Sequence, residues 1–353
     1  MVPKYRGDEE DWLDNEDLAG ARAPEARAKQ GPSARSTSLP NKDANATVAE
    51  VFPNQCRVKF DQDGPLPGKD LLCTYRRAEV VSKSKAEVRE RTPVAVGDRV
   101  LAVKAKSESL TKGVQQGGVI EGICARKNCI SRPAPGRDGT RVQHVLAANI
   151  DLLVIVASAD RPKFSPGLID RFLVAAESED VPVLICVTKT DLINQTQKEW
   201  EIYQELGYPV LEVSSVKQTG ILEIENFVRG KTVVFCGQSG VGKTSLLRQL
   251  LGTDIGKVGS VSESTGKGKH TTTGAILLGG PHSSKWIDTP GVKEFGLANV
   301  TPEKLAGFFS EMATLRCKQA QCLHLDEAGC KAKDLPRYGS YRRILESLIA
   351  GEG

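Results

Sequence analysis

The stretch Gly237-Gln238-Ser239-Gly240-Val241-Gly242-Lys243-Thr244-Ser245 decides the fold. It matches the phosphate-loop pattern G-x-x-x-x-G-K-[ST], follows the apolar run 232–236 and opens a helical stretch at 243–251. A strand, this loop and a helix form the context in which backbone N–H groups converge on phosphates at a helix N-terminus. The pattern predicts that Lys243 contacts the β- and γ-phosphates of a nucleotide and that the Thr244 hydroxyl ligates Mg²⁺.

A base-reading motif lies upstream of this loop. Thr188-Lys189-Thr190-Asp191 follows the apolar run 181–187. The Asp191 carboxylate can accept two N–H donors of guanine, a contact that adenine does not offer, and Lys189 can lay its aliphatic stem on the base. Thr188 stands where asparagine is usual, so we expect somewhat weaker base binding.

A second base-contacting segment is Val213-Ser214-Ser215, which is similar to the loop whose backbone N–H meets guanine O6. Ser214 and Ser215 therefore join the predicted base site. Each of these signals is weak alone, but together and in this order they favour GTP over ATP.

Two segments that follow the phosphate loop in the chain are predicted to form the rest of the nucleotide site. In Asp288-Thr289-Pro290-Gly291, we expect Asp288 to hold Mg²⁺ through water and the Gly291 N–H to meet the γ-phosphate. The segment 266–273 is rich in glycine and lysine, which suits a segment that becomes ordered on contact with the γ-phosphate. One threonine in this segment would complete Mg²⁺ coordination, and the choice stays open among Thr271, Thr272 and Thr273. His270 is either a surface residue or a group that orients water or contacts RNA.

The residue at position 292 differs from the one found in ordinary small GTPases. Those proteins place glutamine directly after the D-x-x-G motif, where it orients the attacking water. Val292 stands there, and its apolar side chain cannot orient water. We therefore expect slow intrinsic hydrolysis and a partner that helps to assemble the catalytic site. The predicted catalytic residues are Lys243, Thr244, His270, Asp288 and Gly291.

The order of the motifs is base reader, phosphate loop, switch threonines and D-x-P-G, whereas ordinary GTPases place the base reader after the phosphate loop. This order predicts a circularly permuted GTPase. Continuous apolar runs at 151–157, 181–187 and 232–236 are typical of strands buried on both faces of a parallel sheet, with helical stretches at 168–179 and 198–206 between them. Residues 136–300 are therefore predicted to form a doubly wound α/β domain.

Short alternating runs with turn signals between residues 45 and 135 indicate about five strands, which predict a small β-barrel of the OB type. Such folds often bind RNA. The basic side chains that suit this role, with an ordinary solvated exterior as the alternative, are Arg57, Lys59, Arg76, Arg77, Lys83, Lys85, Arg89 and Arg91. Residues 1–44 are polar and poor in large apolar side chains, which predicts a disordered tail.

A cysteine and histidine cluster near the C-terminus has the spacing Cys317-x4-Cys322-x-His324-x5-Cys330. Three thiolates and one imidazole form a closed set for one structural Zn²⁺ ion, so residues 301–353 are predicted to be a helical zinc-binding domain. The basic and aromatic residues around the cluster form a candidate RNA footprint, with a solvated helix face as the alternative: Arg316, Lys318, Lys331, Lys333, Arg337, Tyr338, Tyr341, Arg342 and Arg343.

Composition narrows the class of protein. The chain has 353 residues, 39% of them hydrophobic, and a net charge of +4. It contains no apolar run of membrane-spanning length and no secretory h-region. Nine cysteines, an odd count, indicate a reducing compartment. We expect a cytoplasmic, monomeric, multidomain protein that does not bind membranes, and we favour a bacterial cytosol over a plastid stroma.

These motifs resemble those of the ribosome small subunit-dependent GTPase A (RsgA) family of bacterial and plastid assembly factors. The resemblance covers residues 45–350 and includes the motifs above, the segments 148–151 and 169–172, the run 288–297 and the tail Arg337-Tyr338-x-Ser340-Tyr341. Ala328 stands where proline is expected, and the 44-residue N-terminal extension is atypical.

The resemblance implies a set of ligands, a partner and a reaction. The protein would bind GTP, GDP and Mg²⁺, would carry one zinc ion, and would act late in maturation of the small ribosomal subunit. It would bind near the decoding region of the rRNA, hydrolyse GTP when the subunit stimulates it, and then leave. Two alternatives remain at this stage: an RNA-binding module that uses GTP only as a structural ligand, which Val292 motivates, and a metabolic P-loop ATPase or kinase.

Overall fold

A computed structural model describes residues 39–75, 89–90, 93–105, 117–134, 142–193, 198–251, 275–289, 295–297, 299–317 and 321–351. These residues belong to one compact unit. The predictions for most of the N-terminal tail, for His270, Thr271, Thr272 and Thr273, and for Gly291 lie outside the described residues.

The strands are named in chain order. They are β1 (Ala46–Phe52), β2 (Gln55–Phe60), β3 (Asp70–Thr74), β4 (Arg89–Glu90), β5 (Arg99–Lys104), β6 (Gly118–Ile123), β7 (Cys129–Ala134), β8 (Val142–Ala148), β9 (Leu152–Ser158), β10 (Val183–Thr188), β11 (Val210–Glu212), β12 (Thr232–Cys236), β13 (Ile276–Gly279) and β14 (Lys285–Asp288).

The α-helices are α1 (Pro166–Glu177), α2 (Glu201–Glu205), α3 (Ile221–Val228), α4 (Lys243–Leu251), α5 (Pro302–Leu305), α6 (Ser310–Ala313) and α7 (Tyr338–Ile349). Short 3₁₀ turns lie at Asn41–Asp43, Thr190–Leu192, Ala306–Phe308 and Ala332–Asp334. Helix α1 begins two residues earlier than its apolar pattern predicts, because proline is well suited to the first helical turn. Among the described residues, no helix combines the length and the hydropathy that a bilayer-spanning segment needs.

The predicted barrel is confirmed. Strands β1, β2, β3, β6 and β5 are hydrogen-bonded in that order, and β5 pairs back with β1 to close the barrel. All pairs are antiparallel except β3 with β6. Alternate side chains point inward along β2. Cys56 and Val58 are therefore buried, whereas Arg57 and Lys59, which alternate with them, are exposed.

The sheet of the predicted GTPase domain has the strand order β11-β10-β9-β12-β14-β13, and all pairs are parallel except β13 with β14. Every residue of β9 is buried, as the continuous apolar run predicts. Two separate hydrophobic clusters cover the two faces of the sheet. The base-reading strand β10 therefore precedes the phosphate-loop strand β12 in the chain, which confirms the permuted, doubly wound fold.

The barrel and the GTPase sheet are continuous, because β1 pairs with β13 through Glu50 and Ile276. A separate small sheet has the order β4-β8-β7; β7 and β8 lie between the barrel strands and β9 in sequence, whereas β4 lies between β3 and β5. Its strand β8 ends against the barrel, where the Ala148 N–H donates to Val96 O at 2.8 Å. Nearby, the fully buried Asp98 carboxylate accepts from the Arg126 guanidinium at 2.8 Å, which compensates for burying the charge.

The C-terminal helix packs on the GTPase part. Ile344, Leu345 and Leu348 of α7 belong to the same buried cluster as Phe172 and Leu173 of α1. The C-terminal segment is therefore anchored to the helix that follows strand β9.

Candidate nucleotide site and metal centre

The phosphate loop adopts a backbone that requires glycine at defined positions. Gly237, Gly240 and Gly242 have φ values of 143°, 80° and 96°. A Cβ atom at Gly237 would lie 2.1 Å from the Val156 carbonyl oxygen, so a larger residue would displace strand β9. Gln238, Ser239 and Gly240 are exposed at the C-terminal end of β12, and Val241 is buried beneath them. This geometry fits a loop that presents its backbone to phosphates.

Lys243, Thr244 and Ser245 form the first turn of α4, where the helix dipole favours anions. The Lys243 ammonium donates to the Gly237 carbonyl at 2.6 Å, so it lies folded over the loop. The Thr244 and Ser245 side chains are exposed. This turn can therefore offer an ammonium and two hydroxyl groups to a phosphate and its metal ion.

Asp288 ends strand β14, which lies directly beside β12. Its side chain reaches solvent, yet desolvation by the surrounding protein raises the pKa of Asp288, and the charge of Lys243 opposes this shift. The two side chains thus lie close enough to interact electrostatically. The neighbouring Thr289 hydroxyl is buried and has no hydrogen-bond partner among the described residues.

Thr188 connects the base-reading motif to the phosphate loop. Its side chain is 4% exposed, and its hydroxyl lies within hydrogen-bonding distance of the Val241 carbonyl and 3.1 Å from the Ala157 carbonyl. A hydroxyl has one proton and donates to one of the two acceptors at a time. The structure therefore directs Thr188 towards the protein backbone, where it joins β10 to the phosphate loop.

Lys189 makes a second connection between the same two loops. It adopts a left-handed backbone conformation with φ of 56°, and its ammonium donates to the Gly240 carbonyl at 2.7 Å and to the Arg161 carbonyl. The aliphatic stem therefore spans the gap between the base reader and the phosphate loop. This placement is compatible with the predicted contact between the stem and a base.

Asp191 is oriented by Ser214. The buried Ser214 hydroxyl donates to the Asp191 carboxylate at 2.5 Å and accepts from the Lys217 N–H at 3.0 Å. The structure brings the two predicted base-contacting segments together in this way. The carboxylate is held in place by one neighbour, and its other oxygen can accept further hydrogen bonds.

The Ser215 carbonyl is hydrogen-bonded to helix α4, which follows the phosphate loop. The Gln249 amide on α4 donates to the Ser215 carbonyl at 2.9 Å, and the Gln218 amide donates to the same oxygen at 2.7 Å. Neither Gln249 nor the Arg161 carbonyl was predicted to belong to this site. A glutamine within a helix and a loop carbonyl carry no sequence signature, so the folded structure is needed to find them.

The predicted metal ligands converge. The Nδ1 atom of His324 lies 3.4, 3.5 and 3.3 Å from the Sγ atoms of Cys317, Cys322 and Cys330, and the Cys317 and Cys330 sulfurs are 3.8 Å apart. All four donor atoms lie within 4.8 Å of one another. Tetrahedral zinc, with bonds of about 2.3 Å to sulfur and about 2.0 Å to nitrogen, gives separations of about 3.5 to 3.8 Å between its ligands. The donor set and its spacing therefore fit one zinc ion.

Helix α7 holds the loop that carries these ligands. The Tyr341 hydroxyl donates to the Leu323 carbonyl at 2.8 Å, and the Tyr338 hydroxyl donates to the Leu325 carbonyl at 3.0 Å. Burial raises the pKa of Cys322 to about 12, so a metal ion must displace the proton of this thiol when it binds.

The candidate RNA footprint around this centre is smaller than the sequence predicts. Arg337 is 4% exposed and Tyr341 is fully buried, so neither side chain is available to RNA. Arg337 instead forms ion pairs with Glu311 at 2.6 Å and with Asp170 at 3.3 Å. The described members that remain exposed are Arg316, Lys331, Lys333, Arg342 and Arg343. In the barrel, Arg57 and Lys59 are exposed, and the side chains of the other predicted basic residues lie outside the described part of the chain.

Comparisons with known proteins agree with this geometry. A family model described as RsgA GTPase matches residues 123–298. A protein from Marinobacter nauticus named "Small ribosomal subunit biogenesis GTPase RsgA" is 38% identical over 303 residues, which cover 81% of this chain and 79% of that protein. The chain belongs to the RsgA GTPase family. A relative with the same name from Klebsiella pneumoniae is 38% identical over 272 residues, covering 72% of this chain and 75% of its own.

Solved structures support the same assignment to the RsgA family. YjeQ from Thermotoga maritima superimposes with a TM-score of 0.59 at 26% identity, covering 87% of this chain and 98% of its own. YloQ, described as a circularly permuted GTPase, superimposes with a TM-score of 0.58 at 26% identity. The match covers 88% of this chain and 96% of the YloQ chain. The protein is thus a circularly permuted GTPase, and its family implies guanine nucleotide and Mg²⁺ as ligands. This outcome argues against the kinase and structural-ligand alternatives.

Proposed function

We propose that this RsgA-family GTPase binds the small ribosomal subunit late in its maturation, hydrolyses GTP to GDP and phosphate when the subunit stimulates it, and then dissociates. The observation that carries the proposal is the likeness to relatives named for small ribosomal subunit biogenesis, which extends over 81% of the chain. The site geometry supports the nucleotide half of the proposal, and the relatives' names support the partner.

In this proposal Asp191 binds the guanine base, Lys189 covers its plane, and the Ser214–Ser215 segment meets guanine O6. Asp191 and Ser214 are already joined by a hydrogen bond. Thr188 acts indirectly, because its hydroxyl faces backbone carbonyls. It holds the base reader and the phosphate loop in one arrangement, so that base and phosphates can be bound together.

The phosphates are bound by the loop 237–242 and by Lys243, whose ammonium would leave the Gly237 carbonyl to meet them. Thr244 and Asp288 hold Mg²⁺, together with one of Thr271, Thr272 and Thr273, and the Gly291 N–H contacts the γ-phosphate. Lys243 and the metal ion then lie where negative charge develops during phosphoryl transfer.

Stimulation by a partner follows from what the catalytic site lacks. Val292 occupies the position of the water-orienting glutamine, so this chain does not supply that group there. We propose that contact with the subunit orders the segment 266–273 and brings His270 or a group of the subunit to the attacking water. Hydrolysis would then report that the subunit has reached the correct state.

The flanking parts bind RNA in this proposal. The barrel, residues 45–135, and the zinc-binding part, residues 301–353, lie on either side of the GTPase part at 136–300, and the tail spans 1–44. Exposed cations on the zinc-binding part suit contacts with the phosphate backbone of the small-subunit rRNA near its decoding region. A structural zinc ion held by Cys317, Cys322, His324 and Cys330 would stabilise that surface. The protein would act as a monomer in the cytoplasm, where small subunits mature.

Co-sedimentation with isolated small ribosomal subunits tests the proposal. We expect the protein to pellet with subunits in the presence of a non-hydrolysable GTP analogue and to remain in the supernatant with GDP. Lys243→Ala should reduce nucleotide-dependent pelleting, whereas Arg229→Ala, a change at an exposed arginine directly after α3 and outside the two proposed RNA-binding parts, should not. Equal pelleting in both nucleotide states would contradict the proposed release step, and absence of pelleting would contradict the proposed partner.

A further inference from the structure

We infer that Gln249 is a positioning residue for guanine recognition, because it fixes the peptide that follows the predicted O6-binding loop to the phosphate-binding helix. The inference rests on the proposed base site formed by Asp191, Ser214 and Ser215. Gln249 lies outside every nucleotide motif of the sequence, five residues after Thr244 on helix α4.

The contact is specific in its geometry. The Gln249 side-chain N–H donates to the Ser215 carbonyl oxygen at 2.9 Å. Gln218, within the loop itself, donates to the same oxygen at 2.7 Å, so Gln249 is the donor that joins this carbonyl to helix α4. A trans peptide is planar, and its C=O and N–H groups point in opposite directions. Holding the Ser215 carbonyl towards α4 therefore turns the following N–H group away from the helix and sets the path of the loop 214–219.

The rest of this loop is closed on itself. Ser214 and Thr219 exchange two backbone hydrogen bonds of 3.1 Å, and the Ser214 hydroxyl holds the loop to Asp191. Val216 and Lys217 at the tip are exposed. Gln249 thus ties a small closed loop to an element that carries the phosphate-binding residues Lys243 and Thr244.

Helix α4 is a rigid support for this bond. Leu246 and Leu250 on α4 are buried in the same hydrophobic cluster as Val213, which directly precedes the loop. Gln249 lies between these two leucines in sequence, so its amide is carried by a packed stretch of helix. The packing and the hydrogen bond together give the loop one position relative to the phosphate loop.

The other end of the Gln249 amide makes no stabilising contact with the described residues. Its Oε1 atom is buried and has no hydrogen-bond partner among the described residues. A buried acceptor without a partner destabilises the folded state, and an apolar residue of the same length would remove that cost.

The test compares Gln249→Met with the matched control Gln204→Met, a change at an exposed glutamine of α2. Dissociation constants are measured for GTP, ITP and ATP, together with kcat for GTP. ITP shares O6 and N1–H with GTP but lacks the exocyclic amine that Asp191 would read. Denaturant unfolding of both variants monitors the fold.

For Gln249→Met we expect GTP and ITP to bind about threefold to tenfold more weakly, the range of one hydrogen bond, while ATP binding and kcat stay unchanged. The ratio of GTP to ITP affinity should not change, because Asp191 is intact, and unfolding should occur at the same or a higher denaturant concentration. The control should match the wild type throughout.

Equal weakening of all three nucleotides, or no change in any of them, would overturn the inference and leave the base site in place. If the wild-type protein does not prefer GTP to ATP, or if Asp191→Asn leaves the GTP to ITP ratio unchanged, the proposed base site itself fails and the role of Gln249 fails with it.

Discussion

At the residue scale, Thr188 shows how one hydroxyl can join two parts of a binding site. Asparagine at this position would offer both a donor and an acceptor, whereas threonine offers one proton to the carbonyls of Val241 and Ala157. The hydroxyl is buried, so those contacts are protected from water. Thr188 therefore contributes to the stability of the fold as well as to the arrangement of the site.

Thr188→Val keeps the shape of the side chain and removes its only polar group. We expect the free energy of unfolding to fall by about 1–3 kcal/mol, because a buried carbonyl loses its donor. Urea unfolding measures this loss. Thr314→Val, at an exposed threonine, should change stability by less than about 0.5 kcal/mol. Equal stability of the two variants would contradict the buried contact of Thr188.

Asp191 carries the prediction on base selectivity. Asp191→Asn retains an oxygen that can accept from Ser214 but cannot accept both guanine donors, so GTP should bind about tenfold to a hundredfold more weakly while ATP binding is unchanged. Competition between the two nucleotides measures the effect. Ser214→Ala removes the orienting bond and leaves both carboxylate oxygens, so its loss should be smaller. Unchanged discrimination by Asp191→Asn would contradict the assignment.

At the element scale, a buried charge network joins α1 to the C-terminal region. Arg337, which directly precedes α7, pairs with Asp170 on α1 and with Glu311 on α6, and its guanidinium lies 4.8 Å from the centre of the Phe309 ring. Desolvation raises the pKa of Asp170, while Ser340 and Arg337 oppose the shift. The network therefore adds buried ion pairs to the hydrophobic packing of α7 on α1.

Arg337→Met should destabilise the protein by about 3–5 kcal/mol, because two carboxylates lose their buried partner. The matched control is Arg342→Met, which breaks an exposed ion pair with Glu346 within α7 and should cost less than about 0.5 kcal/mol. Denaturant unfolding of both variants checks the difference. Comparable losses in the two variants would show that burial of the Arg337 network is not what stabilises this contact.

The loop between α6 and α7 carries the prediction on zinc. Cys322→Ser removes one of four converging ligands, and we expect the purified protein to lose its zinc and the C-terminal part to become less stable. Metal analysis and limited proteolysis measure the two effects. Cys129→Ser changes a cysteine on β7, away from the cluster, and should leave zinc content unchanged. Full zinc content in Cys322→Ser would contradict the ligand assignment.

Elements with strong local patterns could be predicted from the sequence. The apolar runs gave strands β9, β10 and β12, and the five alternating runs gave the barrel strands, because periodicity reflects burial directly. The helix predicted at 198–206 is shorter in the structure, at Glu201–Glu205. Side-chain direction was less predictable: Arg337 and Tyr341 suit an RNA surface by composition, but tertiary packing turns both inward. Gln249 and the Arg161 carbonyl gave no signal, since their roles depend on contacts distant in sequence.

At the scale of the whole molecule, the circular permutation changes the order in which the chain connects the elements of the nucleotide site. The base reader and the phosphate loop are connected through α2, β11, α3 and β12, so the motif 188–191 and the loop 237–244 belong to one continuous half of the chain. The barrel lies on the other side of the sheet order, where β1 pairs with β13. Strand β13 follows the segment 266–273 that is predicted to respond to γ-phosphate. The barrel is therefore joined through β1 to the strand that follows this segment in the chain.

The most direct test of the central claim is the rate of GTP turnover by the purified protein, alone and with isolated small ribosomal subunits, with ATP as the control nucleotide. We predict slow turnover of GTP by the protein alone, because Val292 cannot orient water, and a rise of about tenfold or more when subunits are added. ATP turnover should stay at background in both conditions. A GTP turnover rate that subunits do not change, in a protein that binds GTP tightly, would contradict the claim that the subunit is the activating partner.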